Sequence, residues 1–402
     1  MRLRSDSRVG ALYIHVPFCA QKCAYCAFYS EALQGELIER YLNALVVEME
    51  RVAHDLAPRT IFFGGGTPSL LSLRQWERVF RALERFGWLG AQECTIECNP
   101  ATVSFDKARL WRDAGVNRVS LGVQSLDADL LQRLGRVHTR QAVFRSFDLL
   151  RRAGFDNVNV DLMFAIPGQT LEVWSRTLDE ALALGSEHLS CYEVIYEEDT
   201  PLFAQLKAGR FAVDEDLACA MYEELIQRAG AAGFHHYEIA NFARDARRGT
   251  DTAPGSETPG RTEEPALPAF ACRHNVNYWR GGDFYGLGPS AATSVRGVRT
   301  QNVSDTRRYC EALAQGQRAV AFRETLPPLA RAGETAAFGL RMTRGWGFDE
   351  FRRVTGFDLR EEWANDMQTV AARGWGRIEP QRFRLTPAGL RFADAAAEYF
   401  LR

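Results

Sequence analysis

The chain has 402 residues, enough for two or more units or for one large domain with an appendage. Its 49 basic and 51 acidic side chains leave a formal charge of −2, which argues against a broad nucleic-acid or membrane footprint without excluding a local basic patch. A hydrophobic content of 46% and a charged content of 25% are those of a globular protein. The polar opening MRLRSDSRVG has no apolar run of signal-peptide length, and no stretch is long enough to span a bilayer. A cytoplasmic location is therefore expected. There the nine cysteines suit metal ligands or buried apolar side chains better than disulfides.

In chain order, β-rich runs are predicted at Ala11–Val16, Thr60–Gly64, Glu93–Cys98, Arg118–Val123, Asn157–Phe164 and His188–Ile195. Amphipathic helices are predicted between and after them, at Ile38–His54, Arg74–Phe86, Gln141–Ala153, Leu171–Leu184 and Asp214–Ala232. Repeated βα units give a parallel sheet, closed as an open partial TIM-type barrel or laid out as a doubly wound sheet. The pattern alone allows either.

Side-chain alternation adds information, because successive strand residues face opposite sides. Thr95 and Glu97 alternate with Cys94, Ile96 and Cys98; Ser120, Gly122 and Gln124 with Val119, Leu121 and Val123; Asn157, Asn159 and Asp161 with Val158, Val160 and Leu162. One face is apolar and suits packing under helices. The other is polar and ends in Glu97, Gln124 and Asp161. A barrel interior is normally filled by branched apolar side chains, so a polar one calls for a polar ligand or for mutual hydrogen bonding. A ligand cavity at the C-terminal ends of the strands is the favoured reading.

The stretch from Arg244 to Pro268 is rich in Pro, Gly, Thr and charge and is expected to be a flexible surface insertion. It divides the chain into a core at 1–243, the insertion at 244–268, a linking segment at 269–328 and a C-terminal unit at 329–402. The last reads helix, helix, helix, then a hairpin over Gly376–Leu385 and a final helix after Pro387, an order that fits a winged-helix-like unit. Its balanced charge favours a structural or docking role over DNA binding.

Three cysteines fall at C-x3-C-x2-C in YIHVPFCAQKCAYCAFYS, directly after the first predicted strand. One short loop can then wrap Cys19, Cys23 and Cys26 around a single iron–sulfur cluster. A cubane has four irons, so three thiolates leave one open to an exchangeable ligand. Structural zinc would need a fourth ligand, and only His15 or the distant Cys272 offers one.

This loop, with Tyr13 ahead of it, resembles the radical SAM superfamily. More narrowly it resembles the branch of oxygen-independent coproporphyrinogen III oxidase and the HemW heme chaperones. GGGTPS (Gly64–Ser69), IECNP (Ile96–Pro100), SLGVQS (Ser120–Ser125), VNVDLMFAIPGQT (Val158–Thr170), YEIANFA (Tyr237–Ala243) and CRHNVNYW (Cys272–Trp279) extend the likeness over nearly the whole chain. The resemblance implies a (β/α)6 partial barrel, a [4Fe-4S] cluster on the three cysteines and S-adenosylmethionine (SAM) on the fourth iron. It carries SAM contacts onto Tyr13, Tyr25, Gly65, Gly66, Thr67, Glu97, Gln124, Arg136 and Asp161. Through the H-N-x-x-Y-W match it makes His274, Tyr278 and Trp279 heme candidates, against the alternative that they only pack the C-terminal unit onto the barrel.

Two departures separate the chain from the oxidase. Phe28 stands where the oxidase loop has a further cysteine, and only twelve residues precede Tyr13. Both match the HemW side and point away from porphyrinogen decarboxylation. The implied function is heme delivery to an acceptor protein, such as a membrane-bound respiratory enzyme. A porphyrinogen oxidase or another radical SAM oxidoreductase of porphyrin metabolism is the alternative, and which of the two applies leaves catalytic residues unassigned.

Overall fold

A computed structural model describes residues 8–245 and 267–402. The expected insertion therefore lies almost wholly outside the described residues. Six parallel strands, β1 (Val9–Val16), β2 (Leu56–Gly65), β3 (Glu93–Cys98), β4 (Arg118–Gln124), β5 (Val158–Phe164) and β6 (His188–Glu193), pair in chain order. A doubly wound sheet reverses direction at a switch point, and these six strands advance one way throughout. Because right-handed crossovers keep advancing the same way, the helices collect on one face and the sheet curls into a partial barrel. β7 (His235–Glu238) and β8 (Asn241–Ala243) extend it beyond β6 as an antiparallel hairpin, and β9 (Tyr285–Leu287) adds in parallel outside β1.

The crossover helices start where the sequence supplies caps. Ser72 and Gln75 form a capping box before Leu73–Arg85, and Thr139, Thr170 and Asp214 cap Arg140–Arg152, Leu171–Ala183 and Glu215–Ala231. Their apolar stripes meet the outer face of the sheet, where Trp76, Trp111 and Trp174 are fully buried. A helix at Phe105–Asp113, not expected from the sequence, completes the third βα unit behind the cap of Ser104. It is short and buries only Ala108 and Trp111, so its periodicity is weak.

Beyond the described gap, the aromatic segment folds as a helix, Arg273–Trp279, the strand β9 and a three-stranded sheet of Ala292–Val295, Val298–Asn302 and Val320–Thr325. A separate core follows. Trp346, Phe351, Trp363, Phe383 and Phe400 are buried among the helices Pro328–Gly339, Phe348–Thr355 and Ala364–Ala372 and the hairpin Gly376–Glu379/Arg382–Leu385. A short extra helix, Leu359–Glu362, and a two-residue strand, Trp346–Gly347, join the expected order of elements. Among the described residues no helix is long and apolar enough to cross a membrane.

Candidate functional site

The polar face found by alternation lines the inside of the barrel, and its surroundings change with depth. Deep inside, the polar groups satisfy one another. The Asn159 amide donates to Ser120 Oγ and to Asp161 Oδ1, each at 2.7 Å. Its oxygen accepts from His188 Nδ1 at 2.6 Å and from Ser190 Oγ at 3.1 Å. His188 Nε2 must then accept from the Tyr237 hydroxyl at 2.7 Å, and that oxygen takes the Cys272 backbone N–H at 3.1 Å. Burial holds His188 well below the usual histidine range, in keeping with the neutral tautomer this chain of bonds requires.

Above this layer the barrel opens. A cavity of about 470 Å³ sits at the C-terminal ends of the strands, with Cys19, Cys23 and Cys26 on its wall. The loop that carries them is held from several sides. The bridge Phe18–Cys19/Glu31–Ala32 closes its base, Ala24 N–H donates to Leu134 C=O at 2.9 Å, and Leu202 N–H donates to Ala24 C=O at 2.9 Å.

Gly65 and Gly66 follow β2 on the same cavity. Gly65 has φ +104°, and a Cβ there would lie 2.5 Å from the His15 ring. A Cβ on Gly66 would lie 2.6 Å from the Phe18 carbonyl oxygen. The glycines thus serve the close packing of the cysteine loop on β1, and the loop's own bonds depend on it: Gly66 N–H reaches Val16 C=O and Thr67 N–H reaches Phe18 C=O. Thr67 Oγ1 is 3.6 Å from Cys19 Sγ.

The remaining expected SAM contacts converge here, with one exception. Tyr25, Glu97, Gln124, Arg136 and Asp161 line the cavity. Gln124 arrives through a register slip after Gly122 and a positive φ of 64°, not by simple alternation. Arg136 donates to Gly122 C=O at 2.5 Å and approaches Cys23 Sγ at 3.5 Å, while its Nε is buried without a partner. Asp161 is fixed by Asn159 on one oxygen and by Ser120 on the other, at 2.9 Å. Tyr13 is the exception: it donates toward His15 Nδ1 at 3.1 Å, stacks on Phe62 and lines a second cavity instead.

Burial, and then the charge of Asp161, push the Glu97 carboxyl up to about 8. Glu97 faces the cavity partly exposed, so cavity water tempers the energetic consequence. A carboxyl held neutral in the fold stabilises it below the unfolded-state value near 4.5, and that contribution is lost as pH rises through the folded value. The ligand-free protein should therefore lose about 1–2 kcal/mol between pH 6 and pH 8 from this group. Urea melts across that range should show the slope, and Glu97→Gln should flatten it.

The second cavity, about 1000 Å³, shares Phe28, Gly65, Glu97 and Tyr192 with the first. His274, Tyr278 and Trp279 line it with Tyr13 and Phe62. His274 is fully buried and stacks on Phe62 with centroids 5.3 Å apart. Its Nδ1 meets Thr60 Oγ1 at 2.9 Å and its Nε2 meets the Tyr278 hydroxyl at 2.8 Å. Burial, then the charge of Arg118, pull it down to about 3. Both nitrogens are engaged, so iron ligation would have to displace Tyr278 or Thr60. Cys272 is buried with its thiol on Glu93 Oε1 at 3.4 Å, away from both cavities, and His15 spends its nitrogens on Tyr13 and the Tyr29 carbonyl. Neither is poised as a fourth zinc ligand.

Alternation along β6 carries the same signal. His188, Ser190 and Tyr192 face inward, and Tyr192 reaches the junction of the two cavities. Phe28, Val137 and Ile195, respectively 71%, 52% and 68% exposed, form an apolar mouth on the cysteine side that only the assembled structure brings together.

Comparisons with known proteins identify the family and the fold. Residues 13–181 match the radical SAM superfamily and residues 326–392 the HemN C-terminal domain. The heme chaperone HemW of Bacillus subtilis (strain 168) is 34% identical over 370 residues, 90% of this chain and 91% of that one. A mitochondrial radical S-adenosyl methionine domain-containing protein 1 of Danio rerio is 32% identical over 358 residues, 86% of this chain and 75% of its own. Coproporphyrinogen III oxidase (HemN) of Escherichia coli, a radical SAM enzyme, superposes with a TM-score of 0.80 over 99% of this chain and 91% of its own, at 21% identity, which is a likeness of fold. This chain belongs to the HemW family of the radical SAM superfamily.

Proposed function

We propose that the chain is a heme chaperone, holding a [4Fe-4S] cluster and SAM in the smaller cavity and heme in the larger, and passing the heme to an acceptor protein. The observation that carries this reading is the junction of the two cavities at Phe28, Gly65, Glu97 and Tyr192. Superfamily membership implies the cluster and SAM.

The residues present suit both groups. Cys19, Cys23 and Cys26 offer three thiols to separate corners of a cubane. Among the described residues no three His, Cys, Asp or Glu side chains are grouped to share one metal ion, and a cubane does not need them to be. The orphaned Nε of Arg136, whose guanidinium already lies near Cys23 through Nη1, suits the methionyl carboxylate. Glu97 would face the amino group, and Asp161, held by Ser120 and Asn159, would accept from the ribose. Gly65, Gly66, Thr67, Tyr25 and Gln124 would complete the walls. When bound, SAM and the cluster supply one-electron chemistry; the protein binds, orients and excludes water.

In the larger cavity Phe62, Tyr278 and Trp279 form a wall for a flat apolar macrocycle, with His274 behind them holding the Tyr278 ring in place. Titration of the purified protein with heme, followed by absorbance, should saturate near one heme per chain. His274→Ala should weaken binding about tenfold by loosening Tyr278. Heme absorbance that rises without saturation would sink the chaperone reading.

A further inference from the structure

We infer that Arg59 and Arg331 are the carboxylate-binding residues of the larger cavity, and that they grip the two acid side arms of a bound dicarboxylate tetrapyrrole at the end remote from the cysteine loop. The assignment rests on the heme reading above and specifies how that ligand is recognised.

Five arginines line the cavity: Arg8, Arg59, Arg296, Arg299 and Arg331. Arg8 already has an interaction partner, and two others have their charge spent on acids. Arg296 forms a two-pronged pair with Asp55, at 2.6 and 2.9 Å. Arg299 bridges Glu324 and Glu334. Arg59 and Arg331 have no acidic partner among the described residues, and both are exposed at the rim.

Both side chains are aimed by local backbone features. Val9 pairs with Leu56 but Ala11 with Thr60, so Arg59 lies in a bulged stretch of β2 where the regular alternation is interrupted. The guanidinium then runs over Gly10, where a Cβ would lie 2.9 Å from Arg59 Nε. Arg331, in the first turn of Pro328–Gly339, lies against Gly297 in the same way, and Gly297 sits in a hairpin turn with φ +80°. Glycine at both places leaves room for a cation on the cavity rim.

Position along the barrel sets the direction. Arg59 precedes Gly65 by six residues of β2, about 20 Å along an extended strand. Gly65 marks the junction with the cysteine cavity, so the unpaired cations stand at the opposite end. Between the ends the wall is aromatic. A ligand fitting this arrangement is flat and apolar with acid groups along one edge. Of the acids on the cavity, Glu334 serves Arg299, Glu97 is at the far end, and Asp283, which accepts the Arg296 backbone N–H, forms no ion pair with Arg59 or Arg331 among the described residues.

The experiment compares heme with heme dimethyl ester, which keeps the ring and iron and loses both charges. Equilibrium titrations would use the wild type and Arg59→Gln/Arg331→Gln, with thermal melts to show that these exposed substitutions leave the fold intact. The wild type should bind heme about tenfold more tightly than the ester, and the double variant should bind both as weakly as the wild type binds the ester. Saturable heme binding with no discrimination by the wild type, or with discrimination retained in the double variant, overturns the assignment while leaving the chaperone reading intact. A wild type that saturates with neither porphyrin removes the chaperone reading, and this assignment with it.

Discussion

Replacing Cys19, Cys23 and Cys26 together by alanine should lower the iron and acid-labile sulfide of anaerobically reconstituted protein from about four of each per chain to background. The three thiols sit together in one loop on the wall of the smaller cavity and are only half-buried, whereas Cys94, Cys98, Cys191, Cys272 and Cys310 are buried, Cys98 at the edge of that same cavity. Burial pushes the Cys94 thiol up to about 12, which disfavours the thiolate that binds iron. The triple variant should still fold, because its loop is bounded by backbone bonds from Ala24 and from the Phe18–Cys19 bridge and adds little to either main core. Circular dichroism should match the wild type while the visible iron–sulfur absorbance disappears, as expected when a cluster loses its thiolates. Unchanged iron and sulfide would remove the basis for placing a cluster on this loop.

Asn159→Ala should cost about 3–5 kcal/mol of stability, the largest effect expected of a single substitution here. The Asn159 side chain makes four hydrogen bonds in a site that water barely reaches. Its removal strands the His188 Nδ1 proton and loosens Ser120, Ser190 and Asp161 together, and each unsatisfied buried group costs roughly 1–3 kcal/mol. Asp161 also loses the partner that orients one carboxylate oxygen toward the cavity mouth. Urea unfolding should show a lower midpoint with an unchanged slope. A midpoint shift below about 1 kcal/mol would mean that the network is not the structural unit its geometry describes.

The two predictions probe different levels of the molecule, and they were not equally visible in advance. The cysteine loop is local. Three sulfurs within eight residues need no tertiary information to be recognised as one ligand set, and alternation along β3, β4 and β5 already turned Glu97 and Asp161 to the same interior. The strand and helix pattern left the barrel and the doubly wound sheet equal, because both are written with the same βα units; strand order decides, and strand order is a long-range property.

What the sequence determined by itself was whatever depends on spacing along the chain: the ligand loop, the capped helices, the polar inner face and the hairpin near the C-terminus. The tertiary structure alone decided which polar groups spend themselves on one another and which stay available. His274 reads from sequence as either a heme candidate or a packing residue, and it is bonded on both nitrogens, from residues 214 positions away and four positions away. Tyr13 lies beside the cysteine loop in sequence yet faces the other cavity. Arg59 and Arg331 have nothing in common along the chain, and they line one cavity only because β9 pairs with β1 and the helix Pro328–Gly339 packs on Arg273–Trp279. The physical reason is that hydrogen bonds and charges are short-ranged in space, so their pairing is fixed by the fold and cannot be read from separation in sequence.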